Sequence, residues 1–443
     1  MDLTDLGKLW HYLVAGLTIL IAFISSSHAV LYKRDSRATV LWVGFIWLAP
    51  LVGGVLYFLL GVNRIRRRAA TLRSSAQQRQ SQLISGRALP VDFEQTFLPG
   101  SDQVVMLARL VGRVVTAPLV GGNTIEPALN GDNAFPQMIE AIQSATKTVT
   151  LATYIFDRGK AGRAFVKALA AAVARGVDVR VLIDDTGARY SWPTIMHALS
   201  RAKIPVARFL PTLVPIRVMA INMRSHRKIL VVDGETAFTG GMNIRDGHLL
   251  KNKPRRPVQD LHFKIRGPVV AQLQDVFAND WFFTTREELA GEKWFPPLEA
   301  KGEVYARGIA DGPDLDLDKL RWTIMGALSC AKSRVRIITP YFLPDQSLIA
   351  ALNVASLRGV TVDIILPRRN NLPFIQWATS AILWQMLQHG CRVWLTAPPF
   401  DHSKLMLVDD SWSLIGSANW DPRSLRLNFE LNVESYSKQL SAV

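Results

Sequence analysis

The pattern His-x-Lys-x-x-x-x-Asp occurs twice, as His226, Lys228, Asp233 and as His402, Lys404, Asp409. Both copies run on alike, to Gly240, Gly241, Asn243 and to Gly416, Ser417, Asn419, and in each the Asn stands 17 positions after the His. Two histidines, two lysines and two carboxamides at one site suit phosphodiester transfer through a covalent intermediate. One histidine attacks phosphorus, the other protonates the leaving oxygen, and lysines and amides hold the phosphate oxygens. An imidazole with an ordinary pKa of about 6.5 is a fair nucleophile near neutral pH. It needs an acceptor on its other ring nitrogen, and Asp260 and Glu430 are the candidates. They follow the two asparagines by 17 and 11 positions, and that inequality counts against Asp260 as the counterpart of Glu430. A single His-x-Lys is ordinarily a solvated strand edge. A duplicated scaffold must keep its apolar residues and turns, but it need not keep His, Lys and Asn together.

The elements that must position these groups read as strands. In SHRKILVVDG and HSKLMLVDD the His and Lys fall two apart, on one face of a strand. Asp233-Gly234 and Asp409-Asp410 then read as hairpin turns, with AFTGGMN and SLIGSAN returning. The catalytic set read from the motif is His226, Lys228, Asp233, His402, Lys404 and Asp409. Within it the two aspartates order a turn in preference to touching substrate. Gly240, Gly241 and Gly416 fit a close approach of backbone to a phosphate. His248 and His262 read as loop residues beside the site, and His197 and His389 as packing residues.

A second level of repetition surrounds the motif. SATKTVTLATYIFD (144–157) resembles CAKSRVRIITPYFLPD (330–345). Each leads through an alanine-rich amphipathic stretch to Arg-Gly-Val (Arg175, Gly176, Val177 and Arg358, Gly359, Val360), then into VDVRVLIDD or VTVDIILP. Strand, helix, strand predicts a βαβ unit and a largely parallel sheet flanked by helices. The expected organisation is α/β, with two similar lobes at 101–300 and 301–443 related by a pseudo-twofold axis.

Upstream, residues 9–32 and 38–63 contain no charged side chain, and five residues, Lys33 to Arg37, separate them. Each is long enough for a membrane-spanning helix of roughly 20 apolar residues. They predict a two-helix transmembrane hairpin over 1–63, with Pro50 and Gly53-Gly54 kinking the second helix. Residues 64–100 read as a basic linker, partly helical and partly flexible. Basic residues are denser on the side holding Lys8, Arg64, Arg66, Arg67, Arg68 and Arg73 than in the connecting loop. That places both termini, and the lobes, in the cytoplasm. The formal net charge of +16 calls for an anionic partner, nucleic acid or an acidic lipid surface. Cys330 and Cys391 have no zinc-ligand spacing and read as free core thiols.

The doubled motif resembles the phospholipase D superfamily, and the match to bacterial cardiolipin synthases is closer. It rests on the hairpin, the TGGMNI and GSANWDPRS continuations, VQDLHF and NFELN. The resemblance implies two phospholipase D-like lobes around one site and a metal-free, cofactor-free transphosphatidylation. A phosphatidylglycerol gives its phosphatidyl group to His226 and releases glycerol. His402 serves as acid and base, and a second phosphatidylglycerol takes the group to give cardiolipin. Lys228, Lys404, Asn243, Asn419 and Ser417 match phosphate-holding positions, although the first copy has Gly241 and Met242 where the second has Ser417. The implied setting is the bacterial inner membrane, multi-pass, with anionic phospholipid substrates and no nucleic acid. Relatives of this kind continue further past the counterpart of Glu430, so a helical tail is expected to be missing. The alternatives are a phospholipase D-type hydrolase, transfer to another alcohol, a nuclease, against which the hairpin argues, or an inactive scaffold, against which the intact motifs argue.

Overall fold

The computed structural model describes residues 3–33, 36–62, 102–211, 223–313 and 316–441. The linker expected at 64–100 and the arginines from Arg64 to Arg73 lie outside them. The chain divides into two compact units, one holding the N-terminal helices and the other nearly all the rest.

In the first unit Leu3–Tyr32 is one helix, and its stretch Trp10–Tyr32 is apolar and long enough to cross a membrane. The expected second span is not one helix. It breaks into Ser36–Leu48 and Pro50–Leu56, followed by a π turn over Tyr57–Gly61. Proline lacks an N–H and its ring crowds the preceding turn, so Ala49 leaves helical geometry at φ −141°, ψ 73°. Neither piece alone is long enough to cross a membrane. The glycine pair lets the pieces pack closely: a Cβ on Gly53 would lie 2.8 Å from the Ile46 backbone, and one on Gly54 2.6 Å from Ile21. The His28 ring lies 2.8 Å from the Tyr57 hydroxyl, as a packing residue.

The second unit is built on sixteen strands. In chain order these are β1 (Val120–Leu129), β2 (Thr148–Thr153), β3 (Asp178–Asp184), β4 (Val206–Phe209), β5 (Ile229–Val232), β6 (Thr236–Gly240), β7 (Val258–Gln259), β8 (Leu261–Arg266), β9 (Val304–Asp311), β10 (Arg334–Ile338), β11 (Thr361–Pro367), β12 (Arg392–Thr396), β13 (Phe400–Asp401), β14 (Leu405–Val408), β15 (Trp412–Gly416) and β16 (Glu430–Tyr436). Fourteen form one sheet, in the order β12-β11-β10-β14-β15-β16-β9-β1-β8-β6-β5-β2-β3-β4. The order reads alike outward from its middle, where β9 and β1 pair antiparallel. The strands β1-β8-β6-β5-β2-β3-β4 answer β9-β16-β15-β14-β10-β11-β12 one for one.

The expectation of a largely parallel sheet is wrong for most of it. Within the fourteen-stranded sheet, parallel pairing among the described residues is confined to β2-β3-β4 and β10-β11-β12, the strands joined through helices such as Lys160–Ala174 and Gln346–Leu357. Hairpins join β5 to β6 and β14 to β15, and a hairpin can only make antiparallel neighbours. Each half has its own apolar core. Phe135, Phe165 and Leu169 meet Val181 and Leu230 in the first, and Ile324, Leu348 and Leu352 meet Ile337 and Met406 in the second. Cys391 is buried and Cys330 half-buried, both as free thiols.

Candidate active site

His226 and His402 sit just before β5 and β14, and both are buried. Each is fixed by the other half of the molecule. The residue before His226 bridges to Phe429, and the His226 N–H donates to the Phe429 carbonyl at 2.8 Å. In the same way β13 pairs with β7, and the His402 N–H donates to the Gln259 carbonyl at 2.7 Å. The residues that follow Phe429 and Gln259 are Glu430 and Asp260. Glu430 therefore meets Nδ1 of His226 at 3.0 Å, and Asp260 meets Nδ1 of His402 at 2.8 Å. The carboxylates are exchanged between the halves, each orienting the histidine of the other motif.

The sheet register makes Asp260 and Glu430 equivalent despite their unequal spacing. Gly240 pairs with His262 and Gly416 with Asn432, and each carboxylate stands two residues before its partner. The extra residues in the first half are taken up between Ile244 and Val258, which include two 3-10 turns.

Burial dominates the electrostatics. It lowers the pKa of His226 against the opposing pull of Glu430, and it drives His402 well down, with Lys404 and Lys228 adding to the effect. Burial thus favours the neutral imidazole at both positions. Burial also brings Lys228 to about 7 and Lys404 to about 8. The Lys228 ammonium donates to the His226 carbonyl at 2.6 Å, and Lys404 reaches both the His402 carbonyl and, at 3.0 Å, its Nδ1. The carboxylates differ. Burial raises Asp260 to about 6. It pushes Glu430 up too, but His226, Lys228 and the Ser417 hydroxyl outweigh it and hold that carboxyl below its ordinary value. Ser417 Oγ donates to Glu430 at 2.5 Å and Asn428 at 3.2 Å. The position matching Ser417 is Gly241, where a Cβ would lie 2.3 Å from the Asp260 carboxylate. Asp260 instead accepts from the Leu261 N–H at 2.8 Å.

The family described as cardiolipin synthase, PLD-like domain, matches residues 138–281 and 324–443, more than half of the chain. The chain belongs to this family. A phospholipase D-nuclease N-terminal family also matches, over residues 18–61. Similar proteins include cardiolipin synthase 1 of Bacillus anthracis, 30% identical over 97% of this chain and 84% of the relative. Cardiolipin synthase of Staphylococcus aureus strain Mu50 is 29% identical over 96% of this chain and 86% of the relative. Among solved structures, phosphatidylserine synthase of Haemophilus influenzae Rd KW20 aligns at a TM-score of 0.58 and 16% identity. It covers 76% of this chain and 88% of that one, a likeness of fold.

Within this PLD-like frame several residues stand elsewhere than the motif suggests. Asp233 and Asp409 are not at the histidines. Both lie at positive φ in the hairpin turns, at 54° and 50°. Asp233 accepts from the N–H groups of Thr146, Lys147 and Thr148, and Asp409 from those of Lys332, Ser333 and Arg334. Their lone pairs are committed to clamping the start of β2 and of β10. That is the turn-ordering place expected of them within the motif. Ser417 donates to Glu430 and accepts from the Leu431 N–H. Asn243 accepts from the Ile155 N–H at 3.0 Å, and Asn419 donates to Ser424 at 3.2 Å. Gly240 and Gly416 make their close approach to strand backbone: a Cβ would lie 2.7 Å from the Leu261 carbonyl and 2.4 Å from that of Leu431. His262 is on β8 and His248 in a 3-10 turn, both buried, whereas His197 is exposed.

Two tyrosines escaped the motif reading. Tyr154 stands edge-on to His226 with ring centroids 5.3 Å apart, and Tyr341 to His402 at 6.2 Å. Their signal was present, because both fall in the repeated TYIFD and PYFLPD segments. Arg227 was also missed. Buried beneath the site, it donates to both Asp280 oxygens at 2.6 Å and to the Glu430 carbonyl at 3.0 Å. Ser403 takes its place in the second motif, so no sequence repeat marks it.

Proposed function

We propose that the protein is a phosphatidyltransferase that makes cardiolipin and glycerol from two phosphatidylglycerol molecules through a phosphohistidine. The observation that carries this reading is the exchanged pair of histidine–carboxylate contacts, His226–Glu430 and His402–Asp260, with a lysine beside each histidine. Glu430 is the better-solvated-by-protein carboxylate, holding two further donors, so it stays ionised and accepts Nδ1–H of His226. Nε2 of His226 is then free to attack phosphorus. The P–O bond to glycerol breaks, and Nε2–H of His402 gives its proton to the departing oxygen. Burial disfavours the proton on His402, and the anionic phosphodiester beside it favours that proton again. In the second step the head-group hydroxyl of another phosphatidylglycerol gives its proton to His402. Its oxygen bonds phosphorus as the P–N bond breaks. Lys228 and Lys404 neutralise the phosphate oxygens, with Asn243 and Asn419 beside them.

The same reading places the N-terminal unit in the bacterial inner membrane. Trp10–Tyr32 crosses once, and the broken segment from Ser36 to Gly61 returns, held by its glycine pair. The basic residues flanking this unit favour cytoplasmic lobes. We further infer that the duplicated halves divide between residues 300 and 301, before the opening strand of the second. The test is purified full-length protein with phosphatidylglycerol alone, scored by lipid chromatography. Cardiolipin with one glycerol released per molecule formed is expected. Phosphatidic acid as the sole lipid product means that water is the acceptor and the protein is a hydrolase.

A further inference from the structure

Helix Pro373–Ile382, with the turn Trp384–Leu387 that continues it, turns its large aromatic side chains away from the protein. Its exposed stripe is Phe374, Trp377, Ala381 and Trp384, spaced as one helical face. Phe374 is 78% exposed and Trp377 66%, and their rings meet edge to face at 5.4 Å. The side turned to the protein is mixed, with Ile382, Leu383 and Met386 on the second core and polar groups bonded to neighbouring backbone. Thr379 donates to the Phe342 carbonyl at 2.9 Å, and Gln376 bonds the Arg368 carbonyl at 3.1 Å and the Asn370 N–H at 3.2 Å. An ordinary surface helix turns its large aromatic side chains to the core instead.

This helix stands at the site's edge. Asn371, two residues before it, accepts from the Tyr341 hydroxyl at 2.9 Å, and Tyr341 borders His402. The corresponding β3-to-β4 connection in the first half does the same. Tyr190 lies 6.2 Å from Tyr154, which borders His226, and two residues on Trp192 is 93% exposed. Beside the helix Arg368 and Arg369 are exposed.

We propose that these two rims seat the catalytic body directly in the bilayer interface, with Trp192, Phe374 and Trp377 among the acyl chains. Arg368 and Arg369 lie against anionic head groups. Exposed indoles next to arginines match that boundary, where amphipathic rings and basic side chains are both favoured. A phospholipid then enters between the rims with its chains still in the membrane, and only its head group travels to the histidines. The proposal rests on the lipid-transfer reading above and adds the surface through which the lipid arrives.

The test reconstitutes the full-length protein in phosphatidylglycerol vesicles carrying a photoactivatable acyl chain, and maps adducts by peptide mass analysis. Adducts on peptides containing Trp192 and Phe374, besides those in the N-terminal helices, are expected. In parallel the combined variant W192S/F374S/W377S is assayed on vesicles and on short-chain phosphatidylglycerol dissolved below its micelle concentration. Loss of three interfacial anchors should lower the vesicle rate roughly tenfold and leave the dissolved-substrate rate unchanged. Adducts confined to the N-terminal helices, equal loss on both substrates, or no loss on vesicles overturns it. So do links from these peptides to a second copy of the chain, because the face is then a protein contact. If the unaltered protein transfers on neither substrate, the functional reading fails, while the adduct map still judges the surface.

Discussion

Each histidine is held by a carboxylate that differs in its support, and the separate roles proposed above rest on that difference. Glu430 keeps its charge through Ser417 and Asn428, while Asp260 has burial against it. Both His226→Ala and His402→Ala should therefore abolish transfer, by at least about 100-fold, since neither residue can replace the other's proton or bond-forming role. Acid quench during turnover, followed by peptide mass analysis, should find the phosphoryl adduct on His226 alone. An adduct only on His402 reverses the two roles. The same groups fix the pH profile. Asp260, raised to about 6, loses the charge that orients His402 as pH falls through 6. Lys228 and Lys404, lowered to about 7 and about 8, are charged below those values and lose their hold on phosphate as pH rises through them. A profile of kcat/KM on soluble substrate should be bell-shaped, with its acid limb near 6 and its alkaline limb between 7 and 8. A flat profile from 5 to 9 contradicts these assignments.

The hairpins carrying the motifs are pinned by their turns. Asp233 and Asp409 each gather several backbone N–H groups from the entering strand of the neighbouring βαβ unit. Replacing either by alanine leaves those donors unpaired at a positive-φ position. It should cost about 2 kcal/mol of stability while leaving the activity per folded molecule nearly unchanged. Chemical unfolding in detergent, alongside active-site titration, separates the two effects. A rate lost without any stability change would return these residues to the chemistry. These turns were legible in the sequence, as were the duplicated βαβ units, the His-x-Lys pairs and the break at Pro50. Their signals are local: alternation, turn residues, a missing N–H. The exchange of carboxylates was not legible. It depends on β7 and β13 and on the Phe429 bridge, pairings of a few residues between segments more than 140 positions apart. The stretch between Ile244 and Val258 also disguised the equivalence of Asp260 and Glu430. The outward face of the helix at Pro373 was not legible either, since it goes with Gln376 and Thr379 bonding to backbone outside the helix.

At the scale of the molecule, the N-terminal helices pack among themselves through Ala22, Ala29, Ile46 and Tyr57, and among the described residues the two cores of the catalytic body are built without them. Deleting residues 1–63 should therefore leave a folded enzyme with undiminished turnover on dissolved short-chain substrate. Its rate on vesicles should fall, and the remainder should resist salt because apolar rims rather than charge alone hold it. Comparing intact and truncated protein on both substrates at low and high salt checks this. A truncated protein that does not fold contradicts the separation of cores. The exchanged carboxylates carry a consequence for the birth of the protein. Ribosomes deliver the first half, with His226, Lys228 and Asn243, well before β16 exists, at roughly 5–20 residues per second. During those seconds the emerging chain already lies beside the membrane whose lipids it will handle. Its histidine has no carboxylate until Glu430, on the last strand of the sheet, is translated and folded back across the molecule. The half-made enzyme is thereby born safe, unable to cut the lipids around it until it can also rejoin them.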